Sequence, residues 1–145
     1  MPPNMNTLQF KEAVRTGDSN KHERHYFDFI ISGQSLRDIL KVSKSDLISP
    51  FGWFENKAEE RLSMQELTLK QKSGLDTGRI MLYVCPECGD IECGAITAII
   101  VDLGDRIVWK DFGYETANGI SELYSTIQPI EFSRQGYFNA FLHLP

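Results

Sequence analysis

The chain has 145 residues, 41% of them hydrophobic and 24% charged, with a formal net charge of −5. That is the length of a single domain (1–145), able to bury a core without disulfides or metals as staples. The acidic balance speaks against general binding to nucleic-acid phosphates, which calls for basic surface, and no apolar run reaches the length of a membrane span.

Residues 1–7 are expected to fray, and Thr7 to Val14 fits either a short helix or an edge strand. A polar loop, Gly17 to Glu23, precedes a strand from His25 to Ile31. Ser35 then reads as the N-cap of a short helix carrying Leu36, Ile39 and Leu40 on one face, with Asp38 at its third position and its end near Lys41. Ser49 to Phe54 mixes Pro50 and Gly52 with three aromatics, the composition of an irregular segment. Asn56 caps a second helix, Lys57 to about Leu67, and a polar loop follows it to Gly78.

The region from Arg79 to Glu115 holds the most apolar runs. Arg79–Val84, Ala95–Val101 and Arg106–Phe112 are short, rich in β-branched and aromatic residues, and bounded by Gly and Asp, which favours strands. Asp102-Leu103-Gly104-Asp105 joins the last two in a tight turn, giving an antiparallel hairpin with the first strand as its neighbour. Gly113 to Glu122 reads as loop, Pro129 to Phe132 as a short extended piece, and Ser133 as the cap of a last helix, Arg134 to Leu142. Its Tyr137, Phe138, Phe141 and Leu142 form a face suited to docking on the sheet. The order predicts an α+β fold: a mainly antiparallel sheet around the hairpin of residues 95–101 and 106–112, packed by two to four short helices.

Cys85-Pro86-Glu87-Cys88-Gly89 has the form of a zinc knuckle, in which backbone N–H groups face the thiolates and the glycine permits the turn. Cys93 offers a third ligand, leaving the fourth to His22, His25, His143 or a carboxylate. The same cysteines also suit two other roles, as small apolar ends of buried strands or as partners in a reversible disulfide. The linking segment, Cys85 to Gly94, predicts a compact turn and a poor helix start. Three closely spaced cysteines without a secretion signal suit a reducing, cytoplasmic setting. No nucleophile elbow, phosphate-binding glycine loop or dinucleotide fingerprint is present.

A second candidate surface combines aromatic and acidic side chains: Trp53, Phe54, Asp111, Tyr114 and Glu115. Such a rim suits a protein partner.

The string LYVCPECGDIECGAITA at 82–98, followed by Ile107-Val108-Trp109-Lys110-Asp111-Phe112-Gly113-Tyr114-Glu115, resembles a family of small bacterial proteins of unknown mechanism. The FDFIISGQSLRD segment at 27–38 and IEFSRQGYF at 130–138 fit the same pattern. Some members of that family carry an oxidoreductase label, which no nicotinamide or flavin fingerprint supports here. By type and size the chain also resembles the immunity proteins of bacterial toxin systems, including contact-dependent inhibition. That resemblance implies a cofactor-free binding protein that neutralises a basic toxin domain, such as a nuclease, by occlusion. The alternative is a zinc-binding or thiol-redox protein using Cys85, Cys88 and Cys93.

Overall fold

A computed structural model describes residues 5–144. Two antiparallel sheets share one core. The smaller sheet has the order β1-β2-β3, formed by Leu8–Arg15, Arg24–Ile31 and Gln34–Ser35. The larger contains β4 (Ile80–Tyr83), β5 (Ala95–Asp102), β6 (Arg106–Thr116), β7 (Gly119–Leu123) and β8 (Ile130–Ser133). Helices α1 (Leu36–Ile39), α2 (Lys57–Leu67) and α3 (Arg134–Leu142) complete the described elements, together with a single 3₁₀ turn at Ile91–Cys93. The architecture is α+β and mainly antiparallel sheet. No helix among the described residues is long and apolar enough to cross a membrane.

Strand β6 organises the larger sheet. It pairs with β5 along one edge, while β8 takes Arg106–Trp109 and β7 takes Gly113–Thr116 along the other. The expected hairpin is therefore present, with β4 as its neighbour across β5. The reading of Gly113 to Glu122 as loop is corrected: these residues finish β6 and start β7. Residues 120–123 of β7 are all exposed, and its two apolar residues, Ile120 and Leu123, are three apart, so hydrophobic alternation gave no signal there.

In a regular strand alternate residues share a face, so Trp109 and Phe112, three apart, would point to opposite sides. Between Thr97 and Ile99 the register shifts, so that Asp111 and Phe112 together face Ala98. This bulge inverts the alternation, and both Trp109 and Phe112 enter the core. Asp111 absorbs the distortion with φ of +54°. Its carbonyl accepts a hydrogen bond from the Arg79 guanidinium.

The core is aromatic. Phe29 of β2 meets Trp109 edge-on at 5.6 Å, and Trp109 also packs against Phe132 at 5.0 Å. Trp109 Nε1 donates to the Tyr137 hydroxyl (3.2 Å), which donates to the Leu67 carbonyl (2.6 Å), so β6, α3 and α2 are tied by one buried chain. All three predicted caps form: Ser35, Asn56 and Ser133 accept from Arg37, Ala58 and Gly136 amides. α1 stops at Ile39 rather than near Lys41, which takes φ of +61°. On α3, Tyr137 and Phe141 dock as expected, but Leu142 is 78% exposed. One residue beyond the i, i+4 pair, it has rotated off the buried face. Thr7 to Val14 resolves as strand rather than helix. Of the segment expected to fray, residues 1–4 lie outside the described residues, while the Asn6 amide donates to the Glu131 carbonyl (2.7 Å).

Candidate metal centre

Cys85 follows β4, just beyond Val84, whose backbone exchanges hydrogen bonds with Ile48. The Gly89 amide donates to the Cys85 carbonyl (2.8 Å), and Gly89 adopts φ of +68°. That positive φ closes the knuckle at little steric cost only for glycine. Asp90 then caps the 3₁₀ turn, accepting from the Glu92 amide, and the turn carries Cys93 back to the first two cysteines. The three sulfur ligand atoms lie within 4.8 Å of one another. All three thiols are free, with Cys85 half-buried and Cys88 and Cys93 exposed. The alternative of cysteines buried as apolar strand ends is thereby corrected for Cys93, which lies outside the sheet.

The loop is braced from several sides. Glu87 receives Arg15 at 2.5 Å and His22 Nδ1 at 2.5 Å, while Arg15 also holds Asp46 at 2.7 Å. Hydrogen bonding from His22, then from Arg15, lowers the Glu87 carboxyl to about 2. Arg24 Nε donates to the Pro86 carbonyl (2.8 Å), and its guanidinium lies 4.8 Å over the Trp53 ring. Trp53 stacks on Phe54 at 4.3 Å and donates from Nε1 to the Ser49 carbonyl (2.7 Å). A Cβ on Gly89 would overlap the Phe54 ring, and one on Gly94 would overlap the Tyr114 phenol. Both glycines therefore let the loop lie flat on aromatic rings.

The thiols are electrostatically unequal. Burial opposes ionisation of Cys85, but backbone amides of Cys88 and Glu87 and the neighbouring thiols outweigh it, so its thiol titrates lower than an ordinary cysteine. Hydrogen bonding with Cys88, then burial and the nearby negative charge, push Cys93 up to about 12. A cation between the sulfurs would offset that repulsion and hold all three as thiolates. Tetrahedral coordination at about 2.3 Å per Zn–S bond places sulfurs roughly 3.8 Å apart, inside the 4.8 Å within which the three lie here. The donor set fits zinc, which favours soft thiolates.

No fourth protein ligand joins the group among the described residues. His22 is engaged by Glu87. His25 Nε2 lies 2.9 Å from Glu23, and His143 Nδ1 lies 2.8 Å from the Asn139 carbonyl.

The aromatic–acidic rim is not assembled as expected. Trp53 and Tyr114 are half-exposed beside the cysteine loop, and Asp111 is exposed at the bulge. Phe54 is buried beneath Gly89. Glu115 is a correction: it is 2% exposed, pairs with Arg79 at 3.5 Å, and accepts from Thr97 (2.9 Å) and Thr77 (2.8 Å). A buried carboxylate needs a counter-ion and full hydrogen bonding, and Arg79, itself buried, supplies the charge. Sequence reading missed Arg15, Arg24 and Glu87 as the loop's anchors. Only the position of Glu87 inside the knuckle hinted at it.

No protein-family model matches the chain, and neither a curated protein nor a solved structure matches it.

Proposed function

We propose that the chain is a zinc-binding domain, in which Cys85, Cys88 and Cys93 hold one Zn²⁺ and the fourth position faces outward. The convergence of three free sulfurs within 4.8 Å carries this reading. Supporting it, polar ties from Arg15, His22 and Arg24, and the Phe54 and Tyr114 rings on which the loop's own Gly89 and Gly94 lie, fix a loop that has little apolar interior of its own. Three protein ligands with one open position is the pattern of a zinc site able to bind or activate an external molecule, whereas structural sites are closed by four. The test is zinc per chain by elemental analysis, with a thiol titration, on protein purified without chelator or nickel. One zinc with three protected thiols is expected, and Cys88→Ser should lose the metal. Metal-free protein with three freely reacting thiols, even after zinc is supplied, would refute the reading.

A second reading is a protein-binding role of the immunity type, favoured by the net charge of −5 and by half-exposed Trp53 and Tyr114 beside the loop. Acidic side chains meeting a basic toxin domain would speed association and make it salt-sensitive. A one-to-one complex with the toxin encoded beside its gene, weakened by salt, is its expected result. Failure of that pair to associate at low salt would sink it.

A further inference from the structure

Next to the cysteine loop is a cleft of about 330 Å³. Phe54, Leu62 and Met81 give it apolar walls, Glu59 and Glu66 give it acidic ones, and Cys88 belongs to both cleft and metal centre. The volume is at the small end of the range for small-molecule sites. Resting on the zinc reading, we infer that the open coordination position takes a low-molecular-weight thiol whose body lies in this cleft, and that the cleft prefers neutral or cationic thiols to anionic ones.

Two observations and one chemical preference lead there. No histidine or carboxylate joins the sulfur group among the described residues, so the fourth donor comes from outside. A zinc ion already bearing three thiolates favours a further soft donor. The cleft adds apolar contact for a short carbon chain, while exposed Glu59, with Asp90 on the loop itself, sets a negative field. In the exchange, zinc-bound water leaves, the thiol gives its proton to solvent, and its sulfur bonds to the metal. No electron is transferred.

The probe is the full chain loaded with Co²⁺ in place of zinc, titrated with 2-aminoethanethiol, 2-mercaptoethanol and 3-mercaptopropionate at constant ionic strength. With the first two, the sulfur-to-cobalt charge-transfer band should grow saturably by about one third, as three thiolates become four. 3-Mercaptopropionate should bind more weakly, and Glu59→Lys should narrow that gap. Leu62 is 43% exposed, so Leu62→Trp can fill the cleft without disturbing the core. It should weaken the first two thiols by about tenfold, the equivalent of two lost methylene contacts, at unchanged cobalt content. A cobalt-loaded chain whose spectrum ignores every thiol would overturn the inference while leaving the metal reading intact. So would a Leu62→Trp variant that binds all three as before, because the bound thiols would then lie outside the cleft that Leu62 lines. A chain that takes up no cobalt would remove the metal reading, and this inference with it.

Discussion

The ground around Trp109 and the ground around Cys88 are held by different physics. Around Trp109, rings from β2, β6, β8 and α3 meet edge-on, and one buried hydrogen-bond chain reaches the end of α2. Around Cys88 there is little apolar interior. The loop is held by Arg15, Arg24 and His22, by two glycines on aromatic rings, and by a capped 3₁₀ turn. Stability thus resides in the first region, and the second is a placed surface whose sulfurs converge without helping to build the core. Such a division is expected when a rigid scaffold presents a reactive loop.

The comparison breaks most severely at the core. Trp109→Ala should cost about 4 kcal/mol, in the range for losing a buried large aromatic, measured by urea denaturation. Because the loop does not rest on Trp109, variant that remains folded should still take up metal. Loss of metal binding from a folded variant would show that the two regions are not separate.

Next comes the buried Arg79–Glu115 pair. Glu115→Ala should cost about 3 kcal/mol, since it strands a guanidinium away from water. Arg79 would keep its bonds to Thr97 and Asp111 but lose its counter-ion. The double variant Arg79→Met with Glu115→Met should recover much of that loss. A double variant as unstable as the single one would mean that the pair's worth is in its hydrogen bonds to the bulge.

The smallest effect is expected at the loop's outer anchor. The hydrogen bond from Arg15 holds the Asp46 carboxyl below its ordinary value of 3.8. A carboxylate with a depressed folded-state pKa stabilises above its unfolded value, and the contribution disappears as pH falls through the folded one. The contribution of this pair should therefore be complete at neutral pH and vanish only in acid, below 3.8. Asp46 is half-exposed, so the effect should stay under about 1 kcal/mol. Following the Asp46 carboxyl by NMR against pH checks this, and a midpoint at or above 3.8 would mean the Arg15 contact does not persist in solution.

Legibility in the sequence followed the range of each interaction. Ser35, Asn56 and Ser133 were readable as caps because a cap needs only a side chain and an amide two or three residues on. The hairpin was readable because alternation and its turn are local. Strand β7 was not, since its burial pattern carries no apolar face and only pairing with β6 makes it a strand. The bulge at Asp111 was also hidden, because nothing in Lys110-Asp111-Phe112 announces a positive φ at a non-glycine residue. It is the bulge, with Arg79 beneath, that changes which residues of β6 face outward and so spoils the expected rim. Glu115 was misplaced for the same reason, its partners lying 18 to 38 residues away. Of the candidate metal centre, Cys85 and Cys88 were legible in the knuckle, and Cys93 was legible as a third ligand by its nearness in the chain. The return of Cys93 depends on a 3₁₀ turn, where the expected compact turn gave the right shape without the contact.

The most direct measurement is X-ray absorption at the zinc edge of the purified chain. The account predicts three sulfurs at about 2.3 Å and one nitrogen or oxygen neighbour. A shell of light atoms alone, or four sulfurs with no thiol added, would contradict it.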